Sequence, residues 1–145
     1  MKNALGASCL VVMLFTSTAA HARDWFVRQG SPDGDGSQAK PFSDPWQALD
    51  TCEAGDSIHV AAGKYFGRSS LGQWEIPFDD VKVLGGYDAD FKTRNPWKNV
   101  TQLLWDKTSK NWPKQERLLS TKKGTVIDGL TIDQRDQCEY SDDAQ

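Results

Sequence analysis

The sequence predicts an all-β fold, a parallel β-solenoid of about three to four coils that begins with a short capping helix. Its main evidence is a set of short segments in which apolar and polar residues alternate: Ile58 to Val60, Val81 to Val83, Leu103 to Trp105, and a segment that starts at Val126. These segments recur at intervals of 23, 22 and 23 residues, with Gly and Asp at many of the turns between them. Short alternating strands at a steady spacing are typical of a solenoid with one coil per repeat.

The last predicted rung is the run GTVIDGLTID, residues 124–133, and a polar tail, residues 134–145, follows it. A strand at the edge of a sheet presents unpaired backbone N–H and C=O groups. We therefore expect self-association, or pairing with further coils, at this end of the solenoid. The chain is interpreted as a candidate fragment of a longer protein.

Residues 1–22 have the pattern of a secretory signal peptide. Lys2 supplies a positive charge, residues 10–15 (LVVMLF) form the apolar stretch, and residues 20–22 (AHA) form a small-residue cleavage site. About a dozen apolar residues are too few to span a bilayer core of roughly 30 Å. We therefore expect export, to the periplasm, the cell surface or the medium, without membrane insertion.

The remaining 123 residues are enough for one domain, which we place at residues 23–133. Loss of Lys2 changes the formal net charge from −3 to −4, and no basic run is present. This mild acidity argues against nucleic acid and against an anionic membrane surface as partners.

The start of the domain carries the signals of a solenoid cap. Residues 24–28 (DWFVR) predict an edge strand, and residues 45–52 (PWQALDTC) predict a short amphipathic helix. Asp44 is a suitable N-cap, and Pro45 suits the first helical position. Because the first rung of a solenoid would expose its core, Trp46 and Leu49 on this helix are expected to cover it.

Two cysteines, Cys52 and Cys138, remain after cleavage of the signal peptide. In an oxidising compartment they can form a disulfide that closes a loop of about 86 residues, stabilising by roughly 4 kcal/mol in the chain-entropy model. The alternative is two unrelated thiols, one buried in the helix and one on the tail.

Six tryptophans are the main clue to a ligand. Exposed indoles stack on sugars, whereas buried indoles fill cores and cover solenoid ends. We expect Trp25, Trp46 and Trp105 inside. The candidate carbohydrate-binding residues are Trp74, Trp97 and Trp112, of which Trp112 lies in a polar insertion, residues 107–115, where it can equally anchor its own loop.

Two carboxylates, Asp33 and Asp35, lie in a Gly-rich loop and are candidate calcium ligands. Calcium prefers six to eight oxygen ligands, so Asp44 or backbone carbonyls would have to complete the site. The alternative is a turn, in which Gly supplies positive φ and Asp bonds its own backbone. No other cofactor is indicated.

No catalytic residue can be assigned from the sequence. No pair of carboxylates stands out for sugar cleavage, and His59 alternates with Ile58 and Val60, which predicts an outward-facing surface histidine. Arg94 is expected to hold the loop between Tyr87 and Pro96 through hydrogen bonds to carbonyl groups.

The order of these elements resembles that of secreted bacterial right-handed parallel β-helix proteins with the pectin-lyase-like fold. The matching features are a Gly/Asp-rich loop at residues 33–36, Pro41-Phe42, the helix, Gly55-Asp56-Ser57-Ile58, Gly63-Lys64-Tyr65, and Gly85-Gly86-Tyr87 followed by Phe91, Arg94 and Pro96. The resemblance covers residues 24 to about 133. It implies a right-handed parallel β-helix, of which only the cap and first coils are present.

The resemblance does not specify an activity, because the central coils that usually carry catalytic and calcium-binding residues are missing. The first functional expectation is an exported, non-catalytic module that binds polysaccharide or acts as a scaffold. The alternative is a remnant or part of a carbohydrate-active polysaccharide lyase or hydrolase.

Overall fold

The computed structural model describes residues 21–32, 34–67, 74–104 and 119–133, in which parallel strands dominate. The first elements are a strand and the helix: β1 (Asp24–Val27) and α1 (Pro45–Thr51). Eight further strands follow: β2 (Ser57–Ala61), β3 (Gly63–Phe66), β4 (Trp74–Glu75), β5 (Lys82–Tyr87), β6 (Thr101–Leu104), β7 (Leu119–Ser120), β8 (Val126–Asp128) and β9 (Leu130–Asp133).

The strands form three sheets, and every pairing between these strands is parallel. The first sheet has the order β1-β2-β5-β8, the second β3-β6-β9 and the third β4-β7. From β2 onward the chain visits the three sheets in turn, as β2-β3-β4, then β5-β6-β7, then β8-β9. The prediction of an all-β fold with parallel strands and one short helix is confirmed for the described residues.

The predicted spacing of one coil per 22 to 23 residues is wrong. In the first sheet Ile58 pairs with Val83, which is 25 residues further along the chain, and Val83 pairs with Ile127, a further 44 residues along. Leu103 belongs instead to the second sheet, where it pairs with Tyr65 and Ile132. The regular interval arises because the series counts Leu103, which belongs to the second sheet, between Val83 and Val126 of the first sheet, while the connections between stacked strands differ in length.

The first strand is covered by α1, as the sequence predicts. Asp44 accepts a hydrogen bond from the Trp46 N–H, and the Gln47 side chain accepts one from the Asp44 N–H, so that a capping box starts the helix. Cys52 is the C-cap residue rather than part of the helix. The buried Trp46 indole stacks on that of Trp74, with ring centroids 4.9 Å apart and planes 2° apart.

A buried carboxylate joins β1 to the end of the helix. Asp56 accepts hydrogen bonds from the Arg23 N–H at 2.8 Å, the Trp25 indole N–H at 2.8 Å and the Glu53 N–H at 2.9 Å. Burial opposes ionisation of this carboxyl, but the three donors outweigh it and hold the pKa of Asp56 below its ordinary value. The N-terminal end of the stack is therefore closed both by apolar packing and by the Asp56 carboxylate with its three hydrogen bonds.

Among the described residues, no helix is long and apolar enough to cross a bilayer. The two predicted interior tryptophans that the structure describes, Trp25 and Trp46, are buried. Trp105, the third, lies outside the described residues.

Candidate glycan-binding surface

Trp97 is the most exposed large apolar side chain that the structure describes, with 95% of its surface accessible. It lies in the connection between β5 and β6, on a tight turn. The Asn95 Oδ1 accepts hydrogen bonds from the Trp97 N–H at 3.1 Å and the Lys98 N–H at 3.2 Å. This is an Asx turn, which holds the backbone beneath the indole without covering the ring.

The turn is attached to the first sheet at Gly86. The Asn95 N–H donates to the Gly86 carbonyl at 2.7 Å, and the Asn99 side chain donates to the same oxygen. Gly86 has a φ of +89°, and a Cβ at this position would lie 2.7 Å from the Pro96 ring. Glycine is required here because Pro96 packs directly on the backbone of the strand.

Arg94 anchors the same connection, as the sequence predicts. Its Nε donates to the Gly85 carbonyl at 2.9 Å, and its guanidinium lies over the Tyr87 ring at 5.7 Å. Its Nη2 also pairs with the Asp128 carboxylate at 2.7 Å, a partner that sequence reasoning did not identify. The Trp97 turn is thereby connected to both β5 and β8.

An aromatic cluster covers the outer face of the first sheet beside this connection. Phe26 stacks on His59 with centroids 4.9 Å apart, and His59 meets Tyr87 edge to face at 5.2 Å. Phe91 contacts both Phe26 and Tyr87, at 5.0 and 6.1 Å. The register explains the cluster, since Phe26 on β1 is directly opposite His59 on β2.

His59 is not the lone surface histidine that the sequence predicts. Its side chain is 16% exposed, its Nε2 lies 2.8 Å from Asp24 Oδ1, and its Nδ1 lies 2.9 Å from the Tyr87 hydroxyl. With a proton on Nε2, the imidazole donates to Asp24 and accepts from Tyr87. Burial raises the pKa of Tyr87, so the phenol is a neutral hydrogen-bond donor near pH 7.

The loop that follows β5 is folded tightly over this cluster. Asp88 accepts hydrogen bonds from the Thr93 hydroxyl at 2.6 Å and from the N–H groups of Lys92 and Thr93. The bond from the Thr93 side chain is the main reason that the pKa of Asp88 is lowered. Phe91, at the tip, is buried although its φ is +58°, a strained value for a bulky side chain.

Of the three tryptophans predicted to contact sugar, the structure presents Trp97 to solvent. Trp74 is a correction, since its indole is 2% exposed and stacks on Trp46 in the core. It is buried because its side chain, unlike that of Glu75 on the same strand, is turned into the core, where it packs against Trp46 of α1. Trp112 lies outside the described residues.

Of the two candidate calcium ligands, the structure describes Asp35. Asp35 accepts a hydrogen bond from the Ser37 N–H at 3.0 Å, and hydrogen bonding to Ser37 is the main reason that its pKa is lowered. This arrangement is a turn, and Asp33 lies outside the described residues. The part of the chain that the structure describes holds no group of three or more His, Cys, Asp or Glu side chains suited to a metal.

Cys52 is buried, and its thiol donates to the Leu49 carbonyl at 3.5 Å. Burial raises its pKa to about 11, so the reactive thiolate is scarce at neutral pH. Cys138, its predicted disulfide partner, lies outside the described residues.

Sequence reasoning missed the aromatic cluster because its members are far apart in the chain. Phe26 lies beside His59 because of the register in which β1 pairs with β2. That register depends on the lengths of the loops, which the alternation of apolar and polar residues does not reveal.

A scan against protein-family models matches none, and comparisons with curated proteins and with solved structures find no similar chain.

Proposed function

We propose that this chain is an exported, non-catalytic module that binds polysaccharide through the surface around Trp97. The observation that carries the proposal is the 95% exposure of an indole whose backbone is held by the Asn95 turn and by Gly86. An open indole on a backbone that is already held can stack on a pyranose ring with little loss of backbone entropy.

The scaffold that we propose is a right-handed parallel β-helix, of which these residues form the cap and first coils. From β2 onward the chain enters the three parallel sheets repeatedly in the same order. This supports a β-helix, because stacked parallel coils give this strand order. The pattern of a signal peptide in residues 1–22 supports export to the periplasm, cell surface or medium.

Glycan-array binding of the purified mature protein, followed by calorimetry on the best ligand, tests the proposal. Trp97→Ala should weaken binding by roughly tenfold, since loss of a stacking contact costs about 1–1.5 kcal/mol. Phe66→Ala is the matched control, because Phe66 is also an exposed aromatic but lies on β3. Equal affinity of Trp97→Ala and the parent protein for every bound glycan would refute the assignment.

A second candidate function, a carbohydrate-active enzyme, is favoured by the hydrogen-bonded row Asp24–His59–Tyr87. In such a row the Tyr87 phenol, which stays protonated near pH 7, can act as a general acid that is oriented by His59, and Asp24 holds His59 in turn. Incubation with pectin or alginate, with and without calcium, should then release unsaturated oligosaccharides that absorb in the ultraviolet. Tyr87→Phe should abolish that release while leaving binding through Trp97 intact. Binding without any turnover would exclude this second function for the substrates tested.

A further inference from the structure

A groove lies between the connection that follows β1 and the loop that follows β5, which carries Phe91 of the aromatic cluster. Its volume is about 480 Å³, within the range of small-molecule sites, and it is lined by Arg28, Gln38, Ala39, Ala89, Asp90 and Lys92. Two side chains cross-link the loops: Arg28 Nη1 donates to the Ala89 carbonyl at 3.1 Å, and Gln38 Nε2 donates to the Asp90 carbonyl at 3.2 Å. The walls of the groove are therefore held at a set separation.

Arg28 is positioned in advance of any ligand. It directly follows β1, its N–H donates to the Phe42 carbonyl, and its Nε donates to the buried Ser31 hydroxyl at 3.1 Å. Within the described residues its guanidinium pairs with no carboxylate, and its Nη2 donates no hydrogen bond. A guanidinium held by two bonds, with donors still open, binds an oxyanion at low entropic cost.

The opposite wall adds a second cation on a strained loop. Lys92 Nζ lies 3.6 Å from Asp90 Oδ2, so the lining carries two positive charges and one negative charge. This local excess of positive charge occurs in a chain whose formal net charge is −3. Phe91, between these two residues, has a φ of +58°, and strained backbone is common at ligand-binding sites.

We propose that this groove binds an oxyanion carried by the glycan, either the carboxylate of an acidic sugar or a sulfate ester. The proposal rests on the proposed glycan-binding function for the identity of the carrier. The oxyanion accepts from the open Arg28 donors and pairs with Lys92, while Asp90 orients the lysine.

Matched ligand pairs test the charge requirement. We would measure the affinity for oligogalacturonate against its methyl ester, and for carrageenan oligosaccharides against their desulfated forms. A preference of roughly tenfold or more for one charged member identifies its oxyanion as the natural source and agrees with a charge-assisted bond. Arg28→Gln should remove the preference, Arg28→Lys should keep part of it, and Trp97→Ala should weaken both members of a pair.

Lys82→Gln is the control for a lost positive charge, because Lys82 is exposed on β5 outside the groove. If Arg28→Gln fails to fold, Lys92→Gln provides the same test from an exposed position. If charged and neutral sugars bind equally and both lose affinity in Trp97→Ala, the proposal of an anion site is refuted and the proposed glycan-binding function stands.

Titration with sodium acetate and sodium sulfate, at constant ionic strength, tests the groove without any sugar. The Arg28 Nε–H resonance should shift in a saturable way with at least one ion, and Lys92→Gln should weaken that response. If no glycan binds, the proposed function fails while this titration still decides the anion site. Absence of a saturable shift with both ions would refute it.

Discussion

The two ends of the described stack differ in how completely they cover their apolar side chains. At the N-terminal end Trp25, Phe42, Trp46 and Leu49 are all buried. At the other end Val126 and Ile132 are 43% and 45% exposed, and Leu119, Ile127 and Leu130 are only half-buried. A small apolar cavity of about 20 Å³ is lined in part by Leu119, Ile127 and Leu130.

The difference shows that apolar side chains at an end of the stack are buried only where further residues pack over them. Local sequence supplies it at the first strand, through the capping box of α1 and the Asp56 hydrogen bonds. At β8 and β9 the described residues supply no equivalent layer. We therefore expect the free energy of unfolding to respond strongly to changes near α1 and weakly to changes on the last strands.

The largest expected effect is at Trp74. Trp74→Ala removes a buried indole and the stack with Trp46, which should lower the free energy of unfolding by about 3–5 kcal/mol. Urea denaturation followed by circular dichroism measures this. Trp97→Ala is the control, expected to change stability by less than about 0.5 kcal/mol. Similar losses for the two variants would contradict the placement of Trp74 in the core.

Asp56→Asn should rank second, with a loss of roughly 2–3 kcal/mol near neutral pH, because an amide cannot serve all three donors. The folded pKa of Asp56 is lowered from 3.8, so its contribution is complete above that pH and is lost as the pH falls towards the folded value. Parent and variant should therefore converge in stability as the pH falls below 3.8. A constant difference as the pH falls below that value would argue against the ionised, hydrogen-bonded carboxylate.

An intermediate effect is expected at the pair that links β5 to β8. Asp128→Asn weakens the 2.7 Å ion pair with Arg94, and partial exposure of both side chains limits the loss to about 1 kcal/mol or less. The loss should shrink in high salt, which thermal melts at two ionic strengths would show. Asp90→Asn, at the exposed pair with Lys92, is the control and should change stability less.

The smallest change in stability is expected on β9. Ile132→Ser should cost less than about 0.5 kcal/mol, since the side chain is already half in water. The informative measurement is light scattering. If the last strands pair with a second copy, the parent protein should self-associate at concentrations where Ile132→Ser is monomeric. A parent protein that stays monomeric would contradict self-association at this end.

Local signals predicted the cap correctly, down to Asp44 as N-cap and the interior positions of Trp25 and Trp46. They failed for the coil length and for Trp74. Alternation identifies a strand and its buried face, but it does not say which of several sheets the strand joins. That is decided by the length and path of the connections, as the assignment of Leu103 to the second sheet shows.

The candidate site divides in the same way. The exposed Trp97 turn and the Arg94 contact with Gly85 could be anticipated, because these contacts are local in sequence, whereas the Arg94 pair with Asp128 could not. The row Asp24–His59–Tyr87 and the groove between Arg28 and Lys92 could not, since each joins segments brought together by parallel stacking.

The amino-acid sequence by itself determined β1, β2, β5, β6 and the region of β8 and β9, together with the helix and its cap, because propensity, alternation and capping act over a few residues. Only the tertiary structure decided the register between distant strands, and with it the partners of His59 and the walls of the Arg28 groove. These contacts join residues 28 to 61 positions apart, so they depend on how each loop closes, and that closure is a property of the packed chain.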